Sequence, residues 1–440
     1  MTRLEGRLPR PHGAALISSA VAVLAGAVLF LGCADAPEHD DTPPAQALTD
    51  DELPEDLKGG RYALAPELSE EQRLAIEQLN SLGYADGTQV APEVVSVTRH
   101  EAGEVFEGYN LYTSGHGTEA LLIDMDGAVL HRWSYDYDEL WPDLDVPAGA
   151  AGRGKWRRTM LFPNGDLLAI HEGIGMLKLD RDSNLLWEYP GHAHHDAHIL
   201  ADGSIWTLAR EAKVIPRVHE SEPSMDDFLV ELAPDGTERQ RISVLECLER
   251  GDGEELLARM KRGKELFHTN SIEVLDGRLA ERLPAFAAGN LLVSLRHLDA
   301  ICVIDPREAA VVWSMTGDFR AQHDPTVLDN GNLLLFDNRG AGEASTVREF
   351  DPVTGEPVWA YAGTAESPFY SHTCGTSYRL PNGNTLVSES DAGRAFELTP
   401  DKRIVWEFYN PHRGGPELQY IAVLYDLQRV LPEDVSWLED

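Results

Sequence analysis

The segment from Ala321 to Asn338 reads AQHDPTVLDNGNLLLFDN, and its pattern is repeated along the chain. Two apolar, strand-like runs flank an Asp-Asn-Gly turn, and His323 stands at the front of the first run. A glycine-containing turn between two short apolar runs is typical of a β-hairpin. This segment therefore predicts two paired strands with a histidine at one end.

The same strand–turn–strand pattern occurs at four further places, which are residues 161–168, 200–206, 287–292 and 380–386. A second pattern recurs between these copies. It consists of an apolar residue, which is usually followed by an aspartate, then a turn and then a tryptophan. Five tryptophans occupy this place, namely Trp133, Trp187, Trp313, Trp359 and Trp406. Because they recur at one position of a repeat, we expect them to pack between neighbouring sheets.

Six units of about four strands are the size of propeller blades. The first unit, Tyr109 to Tyr137, lacks an opening strand, whereas the C-terminal run from Tyr420 to Tyr425 is strand-like and has no partner. We predict an all-β, six-bladed β-propeller over residues 109–440. Its C-terminal strand would close the first blade and remove an exposed sheet edge.

The N-terminus carries an export signal. Arg3, Arg7 and Arg10 precede an apolar run that ends at Cys33, which is typical of a secretory signal peptide. The residues around this cysteine resemble a bacterial lipobox, so residues 1–33 are predicted to be a lipoprotein signal peptide. The protein is then exported, as a periplasmic or cell-surface lipoprotein held on the membrane by its lipid. An uncleaved anchor and plain secretion are the alternatives.

The segment between the signal and the propeller has two parts. Residues 34–60 are rich in Asp, Glu and Pro, which predicts a disordered acidic tether. Residues 61–108 are predicted to form a lead-in with a short N-terminal helix, since Ser69 to Gln72 reads as a capping box. The net charge of −37 argues against nucleic acid as a partner. A site for an anion must supply its own positive groups against this overall field.

Histidines are predicted to open the first strand in four successive units, and they are His195, His268, His323 and His372. In a propeller these strands line the central channel, so we expect the four side chains at one mouth. Arg158 opens another first strand, and Arg210 and Arg296 each lie seven residues after a turn glycine. Imidazoles grouped in this way suit nucleophilic, acid–base or metal chemistry.

No metal and no cofactor are predicted. The histidine-rich stretch 191–198 is not expected to hold a metal alone, because neighbours on a strand point to opposite faces. A metal assembled across blades is an alternative. Cys247, Cys302 and Cys374 lack the close spacing of a zinc–thiolate site, and a disulfide between two of them stays open.

Several short motifs, taken in order, resemble the bacterial arylsulfotransferases. They are His194-His195-Asp196, His268-Thr269-Asn270-Ser271-Ile272, Ser294-Leu295-Arg296-His297, Gln322-His323-Asp324 and Phe336-Asp337-Asn338. That family consists of secreted six-bladed propellers that move a sulfuryl group between phenols without a nucleotide donor. The resemblance covers residues 109–411 and implies an aryl sulfate donor and a phenolic acceptor as partners.

The resemblance also implies roles for the histidines. The nucleophile of the family falls on His323, and its supporting histidine falls on His195, with His194 as the other candidate. A neutral imidazole nitrogen attacks well and later leaves well, as a sulfohistidine intermediate requires. We expect His195 or His268 to exchange protons with the two phenols.

The sulfuryl oxygens need cationic or hydrogen-bonding partners. By resemblance, Arg296 binds the sulfate, and Asn270 forms a His-x-Asn pair with His268. His372 is added as a further substrate-binding candidate because of its place in the repeat.

Three other functions stay open. A propeller scaffold or binding lipoprotein would share the repeats but has no need for grouped His, Asn and Arg side chains. An aryl sulfate hydrolase would use the same site with water as acceptor. A quinone-dependent dehydrogenase also has repeated tryptophans, but six blades fit it poorly.

Overall fold

The computed structural model describes residues 89–144, 146, 152–261, 263–340, 344–414 and 417–439. All of them belong to one compact unit, Glu67–Asp440. The predictions for the signal peptide, Cys33, the tether and the N-terminal helix lie outside the described residues. Within the described ranges no helix is both long and apolar enough to cross a membrane.

The strands are numbered along the chain. The first twelve are β1 (Ser96–His100), β2 (Tyr109–Ser114), β3 (Glu119–Ile123), β4 (Val129–Ser134), β5 (Arg158–Leu161), β6 (Leu167–His171), β7 (Gly175–Leu179), β8 (Leu185–Tyr189), β9 (Ala193–Ile199), β10 (Ile205–Val214), β11 (Pro223–Leu232) and β12 (Glu238–Ser243). The others are β13 (Thr269–Val274), β14 (Leu291–Leu295), β15 (Ala300–Asp305), β16 (Ala310–Thr316), β17 (His323–Val327), β18 (Leu333–Asp337), β19 (Thr346–Phe350), β20 (Pro357–Tyr361), β21 (Thr376–Arg379), β22 (Thr385–Glu389), β23 (Arg394–Leu398), β24 (Ile404–Tyr409), β25 (Arg413–Gly414), β26 (Tyr420–Ile421) and β27 (Leu424–Val430).

The described helices are short. The α-helices are α1 (Tyr137–Leu140), α2 (Val244–Leu248) and α3 (Glu254–Arg259). The 3-10 turns are Pro284–Phe286, Arg296–Leu298, Ser390–Ala392 and Pro432–Glu439.

The strands form six antiparallel blades, which confirms the predicted propeller. Their strand orders are β27-β2-β3-β4, β5-β6-β7-β8, β9-β10-β11-β12, β13-β14-β15-β16, β17-β18-β19-β20 and β21-β22-β23-β24. The first strand in each order is the innermost, and β13 contacts both β9 and β17 of the neighbouring blades. The fronts of these strands therefore meet at one end of the channel.

The C-terminal strand closes the first blade, as predicted, but its bounds differ. β27 pairs with β2, whereas Tyr420 and Ile421 pair with Arg413 and Gly414 in a separate two-stranded ribbon. The apolar run thus breaks into two elements, and the closing strand begins at Leu424. An unexpected strand, β1, pairs with β24 as a fifth strand of the last blade.

Four of the repeated tryptophans join neighbouring blades. Each donates its indole N–H to a carbonyl in a turn of the next blade: Trp133 to Gly165, Trp187 to Pro234, Trp359 to Pro400 and Trp406 to Met125. The last of these bonds joins blade six to blade one. Trp313 packs on Phe286 of its own blade, with ring centroids 5.0 Å apart.

The front of three inner strands is irregular. The pairing register shifts between β9 and β10, between β13 and β14, and between β17 and β18. His195, His268 and Asp324 have left-handed backbone angles there, with φ of +57°, +52° and +53°. Bulges of this kind turn side chains away from the normal alternation and concentrate at functional sites. The candidate site is built on these three bulges.

Candidate active site

The two ring nitrogens of His323 differ: hydrogen bonds hold Nδ1, and Nε2 is the nitrogen that can react. Its Nδ1 lies 2.7 Å from Oδ1 of Asn338 and 3.1 Å from the carbonyl of Ala321. The Asn338 amide nitrogen donates to the carbonyls of Ser371 and Cys374, so its oxygen must face the imidazole. Both neighbours of Nδ1 are therefore acceptors. The proton sits on Nδ1, and Nε2 carries a lone pair.

The ring of His323 is held in its neutral form. Burial lowers the pKa of His323 well below its usual range, and the guanidinium groups of Arg296 and Arg157 lower it further. A neutral imidazole with a free Nε2 is the nucleophilic form of histidine.

His195 is held by a carboxylate from the preceding blade. Glu172 Oε1 lies 3.2 Å from Nδ1 of His195, and Glu172 Oε2 accepts the backbone N–H of the same residue at 3.0 Å. The carboxylate favours a proton on Nδ1 of His195, and the same nitrogen lies 2.8 Å from Nδ1 of His194. Burial lowers the pKa of His195, and this outweighs the opposite effect of Glu172. The Nε2 atom of a neutral His195 can then act as a base.

His194 and His195 do not point to opposite faces, and that expectation is wrong. The bulge in β9 brings their Nδ1 atoms within 2.8 Å of each other. His194 is fully buried behind His195, with Nε2 3.9 Å from a carboxylate oxygen of Asp227. His194 therefore contacts His195 and lies near Asp227.

His268 repeats this arrangement on the next blade. Its Nδ1 lies 2.9 Å from Glu265, and its ring centroid is 4.9 Å from that of His195. Burial lowers the pKa of His268 well below its usual range, and Arg296 adds to the shift. Arg210 lies between the two carboxylates, 3.7 Å from Glu172 and 3.9 Å from Glu265.

Arg296 and Asn270 are both connected to residues next to the histidines or to the histidines themselves. Arg296 begins a 3-10 turn, and its backbone N–H donates to the carbonyl of His268 at 3.3 Å. Its charge acts on both His268 and His323. Asn270 donates its amide to the carbonyl of Gln322 at 2.8 Å, so it anchors the residue that precedes His323.

His372 does not open an inner strand, contrary to the prediction. β21 begins at Thr376, and His372 is an exposed residue ahead of it. Its ring contacts Arg339 and the hydroxyl of Tyr370. It therefore lies at the rim of the site, apart from the three buried histidines.

A buried ionic cluster forms the floor of the site on the propeller axis. Arg158 lies 3.0 Å from Asp196, 3.7 Å from Asp324 and 3.0 Å from Asp426. These four residues come from four different blades. Each of Asp196 and Asp324 also accepts a backbone N–H of the following blade. The cluster therefore joins four blades next to the residues that carry the histidines.

Glu172 and Glu265 are not among the site residues predicted from the sequence, and Asn338 is quoted there only as part of a motif, without a role. Arg210 and Arg296 were singled out because they lie seven residues after a turn glycine. The same count from Gly165 gives Glu172, and from Gly331 it gives Asn338. Applying the rule to every residue type would have found both. Glu265 lies outside the repeat, and no comparable signal marks it.

Among the residues that the structure describes, three groups of histidines and glutamates could hold a divalent cation, since their ligand atoms lie within 4.8 Å of one another. They are Glu172-His194-His195, Glu265-His268-His297 and His116-Glu119-His412. Such donor sets suit zinc. The first two belong to the site, where a metal would occupy nitrogens needed for proton transfer. Cys247, Cys302 and Cys374 are free and buried.

These features define a class: a six-bladed propeller with three buried histidines near the fronts of its inner strands, one held by an asparagine and two beside carboxylates, and with an arginine whose charge acts on two of them. The model of the family described as arylsulfotransferase (ASST) matches residues 158–411. The chain belongs to this family, as its motifs predicted. Membership supports aryl sulfotransferase activity, with an aryl sulfate as donor and a phenol as acceptor.

Comparisons with other known proteins give only distant likeness. No curated protein matches the chain. A protein of unknown function from Bacteroides caccae is 14% identical, with a TM-score of 0.49, over 73% of this chain and 98% of that one. A streptogramin B lyase is 13% identical, with a TM-score of 0.41 and coverages of 78% and 97%. A virginiamycin B lyase from Staphylococcus aureus is 10% identical, with a TM-score of 0.39 and coverages of 72% and 89%. Identities this low say nothing about activity.

Proposed function

We propose that the protein transfers a sulfuryl group from an aryl sulfate to a phenol in two steps, through a sulfohistidine on Nε2 of His323. The observation that carries this proposal is the fixed tautomer of His323. Asn338 and the Ala321 carbonyl hold the proton on Nδ1, and burial keeps the ring neutral. Nε2 is then the only ring atom that can attack sulfur.

In the first step Nε2 forms a bond to sulfur while the bond between sulfur and the aryl oxygen breaks. The first phenol leaves as a phenolate, which is protonated by water in the first turnover, when His195 and His268 are neutral. In later turnovers it takes the proton that one of these histidines received from the preceding acceptor. The sulfated ring of His323 is now positively charged. The two acceptors at Nδ1 stabilise that charge, and the charge makes the ring a good leaving group.

In the second step the acceptor phenol gives its proton to Nε2 of the now neutral His195 or His268. The resulting oxygen nucleophile attacks sulfur, the bond between sulfur and Nε2 breaks, and His323 recovers its lone pair. Glu172 and Glu265 stabilise the imidazolium that forms. This proton then returns to the phenolate of the next donor.

A chromogenic aryl sulfate with and without added phenol tests the reaction. We expect phenol-dependent release in the native protein and none in His323→Asn, whereas the exposed control variant His219→Asn should keep full activity. Equal release without phenol would indicate a hydrolase. Failure of the native protein to release phenol or to take up labelled sulfate would indicate a binding protein or scaffold.

We also propose that the protein is an exported lipoprotein anchored through Cys33. The support is the charged, apolar and small-residue order of the first 33 residues and the lipobox-like sequence. Labelling of cells with radioactive palmitate should mark the native chain but not Cys33→Ser. Unlabelled native protein in the soluble fraction would contradict the anchor.

A further inference from the structure

Arg157 occupies the same repeat position as two of the catalytic histidines. It lies eight residues before the turn glycine Gly165, as His195 does before Gly203 and His323 before Gly331. The next residue in each blade, Arg158, Asp196 or Asp324, belongs to the ionic cluster on the axis. Arg157 therefore belongs to the layer of the reacting histidines, directly above that floor.

Among the described residues Arg157 forms no ion pair with a carboxylate, in contrast to Arg158. Arg158 has three carboxylates around it. The guanidinium of Arg157 forms no ion pair or hydrogen bond with any residue in the described part of the chain, and its Nε is buried without a partner. Only 5% of the residue is exposed. An arginine stays charged in proteins, and a buried unpaired charge costs several kcal/mol.

The surroundings of Arg157 hold its side chain in place without neutralising it. Its Cζ lies 5.1 Å from the ring centroid of Tyr425, a cation–π contact on one face of the guanidinium. Burial lowers the pKa of Arg157, but Cys374, Glu172 and Tyr425 raise it, so the guanidinium stays charged. Glu172, the carboxylate among them, lies 3.2 Å from His195. The edge of the guanidinium, with its five N–H groups, stays available for an anion.

The reacting histidines lie within the electrostatic reach of Arg157. Its charge lowers the pKa of His323 and that of His195, in each case after the larger effect of burial. Arg296 acts on His323 as well. Arg296 likewise forms no ion pair with the residues described. Two guanidinium groups, from blades two and four, thus act on His323 through their charge.

We propose that Arg157 is a second sulfuryl-binding residue, which holds the oxygens of the sulfuryl group together with Arg296. This inference rests on the proposed function. A sulfuryl group has three terminal oxygens, and a planar guanidinium can bind two of them at once. In a protein of net charge −37, such unpaired cations are what a buried anion needs.

Binding of inorganic sulfate tests this role without turnover. Charge-assisted hydrogen bonds contribute about 1.5–3 kcal/mol, so Arg157→Met should weaken sulfate binding by roughly 10- to 100-fold in calorimetry. The donor half-reaction should slow by a similar factor. Arg307→Met, on the exposed surface, should leave both unchanged. A folded Arg157→Met protein with native sulfate affinity and a native donor rate would overturn the proposal.

Two further variants separate the possible failures. If Arg157→Met does not fold, Arg157→Lys is the variant to measure. Lysine keeps the positive charge but cannot bind two oxygens at once as a guanidinium does, so sulfate should bind several-fold more weakly. Native sulfate affinity in this variant would contradict the role. His323→Asn should still bind sulfate. If it also transfers sulfuryl groups, the proposed function fails, while the effect of Arg157 on sulfate binding is judged separately.

Discussion

At the scale of single residues, the chemistry depends on which nitrogen of His323 carries the proton. The sequence predicted the nucleophile through family resemblance but not its tautomer. Asn338 determines the tautomer, and its own orientation is fixed by two carbonyls of the next blade. Contacts between residues so far apart in the chain cannot be read from local patterns.

Replacing Asn338 tests this tautomer. Asn338→Leu removes the acceptor at Nδ1, so the ring loses its orientation and the rate of the donor half-reaction should fall by roughly 100-fold. Asn338→Asp keeps an acceptor and adds a negative charge, which raises the pKa of His323. The Asn338→Asp protein should stay active. As the pH is lowered, its activity should be lost at a higher pH than the activity of the native protein. A leucine variant with native rates would contradict the assigned tautomer.

The adjacent residues His194 and His195 depart from the alternation of side chains that the sequence predicts along a strand. Alternation along a strand predicts opposite faces for two adjacent residues. The bulge in β9 removes that alternation, since it adds residues without adding pairs. A bulge is set by the packing of the whole blade, so the facing residue could not be chosen from the sequence.

At the scale of elements, the repeats were predictable because each hairpin has the same local sequence pattern. The glycine turns, the apolar runs and the tryptophans all follow from strand geometry. The predicted structural role of the tryptophans is confirmed, because their indole N–H groups join neighbouring blades. In contrast, β1 has no repeat signature, and it joins the last blade only because an edge is free there.

The tryptophan that joins blade six to blade one should matter for stability. Trp406 is fully buried, and its Nε1 lies 2.9 Å from the carbonyl of Met125. Trp406→Phe leaves that acceptor buried and unpaired, so the free energy of unfolding should fall by about 1–3 kcal/mol. Trp187→Phe breaks an equivalent but more exposed bond and should cost less. Urea unfolding of both variants measures the difference, and equal losses would contradict the role of burial.

At the scale of the whole molecule, two features hold the ring together. β27 pairs the C-terminus with the first blade, and the sequence predicted this closure because one blade lacked a strand. The ionic cluster around Arg158 joins four blades at the axis. It was not predicted, because its members are charged residues that look like ordinary surface groups until the blades are arranged around one centre.

The cluster predicts a pH dependence of stability. Burial raises the pKa of Asp324 to about 7, despite the opposing effect of Arg158. The folded state therefore binds an extra proton that the unfolded state releases at lower pH, and stability falls as the pH rises from about 4 to about 7. Asp324→Asn cannot titrate and should show a flatter profile in urea unfolding. Parallel profiles for the two proteins would show that Asp324 does not hold this proton.

The central claim is a covalent sulfohistidine on His323, and trapping it is the most direct test. The native protein is mixed with an aryl sulfate in the absence of any phenol, quenched and analysed by intact-protein and peptide mass spectrometry. We expect one sulfuryl group per chain, on the peptide that contains His323, with release of one equivalent of phenol. His323→Asn should show neither. Transfer that proceeds without any label on the protein, or a label on another residue, would contradict the mechanism.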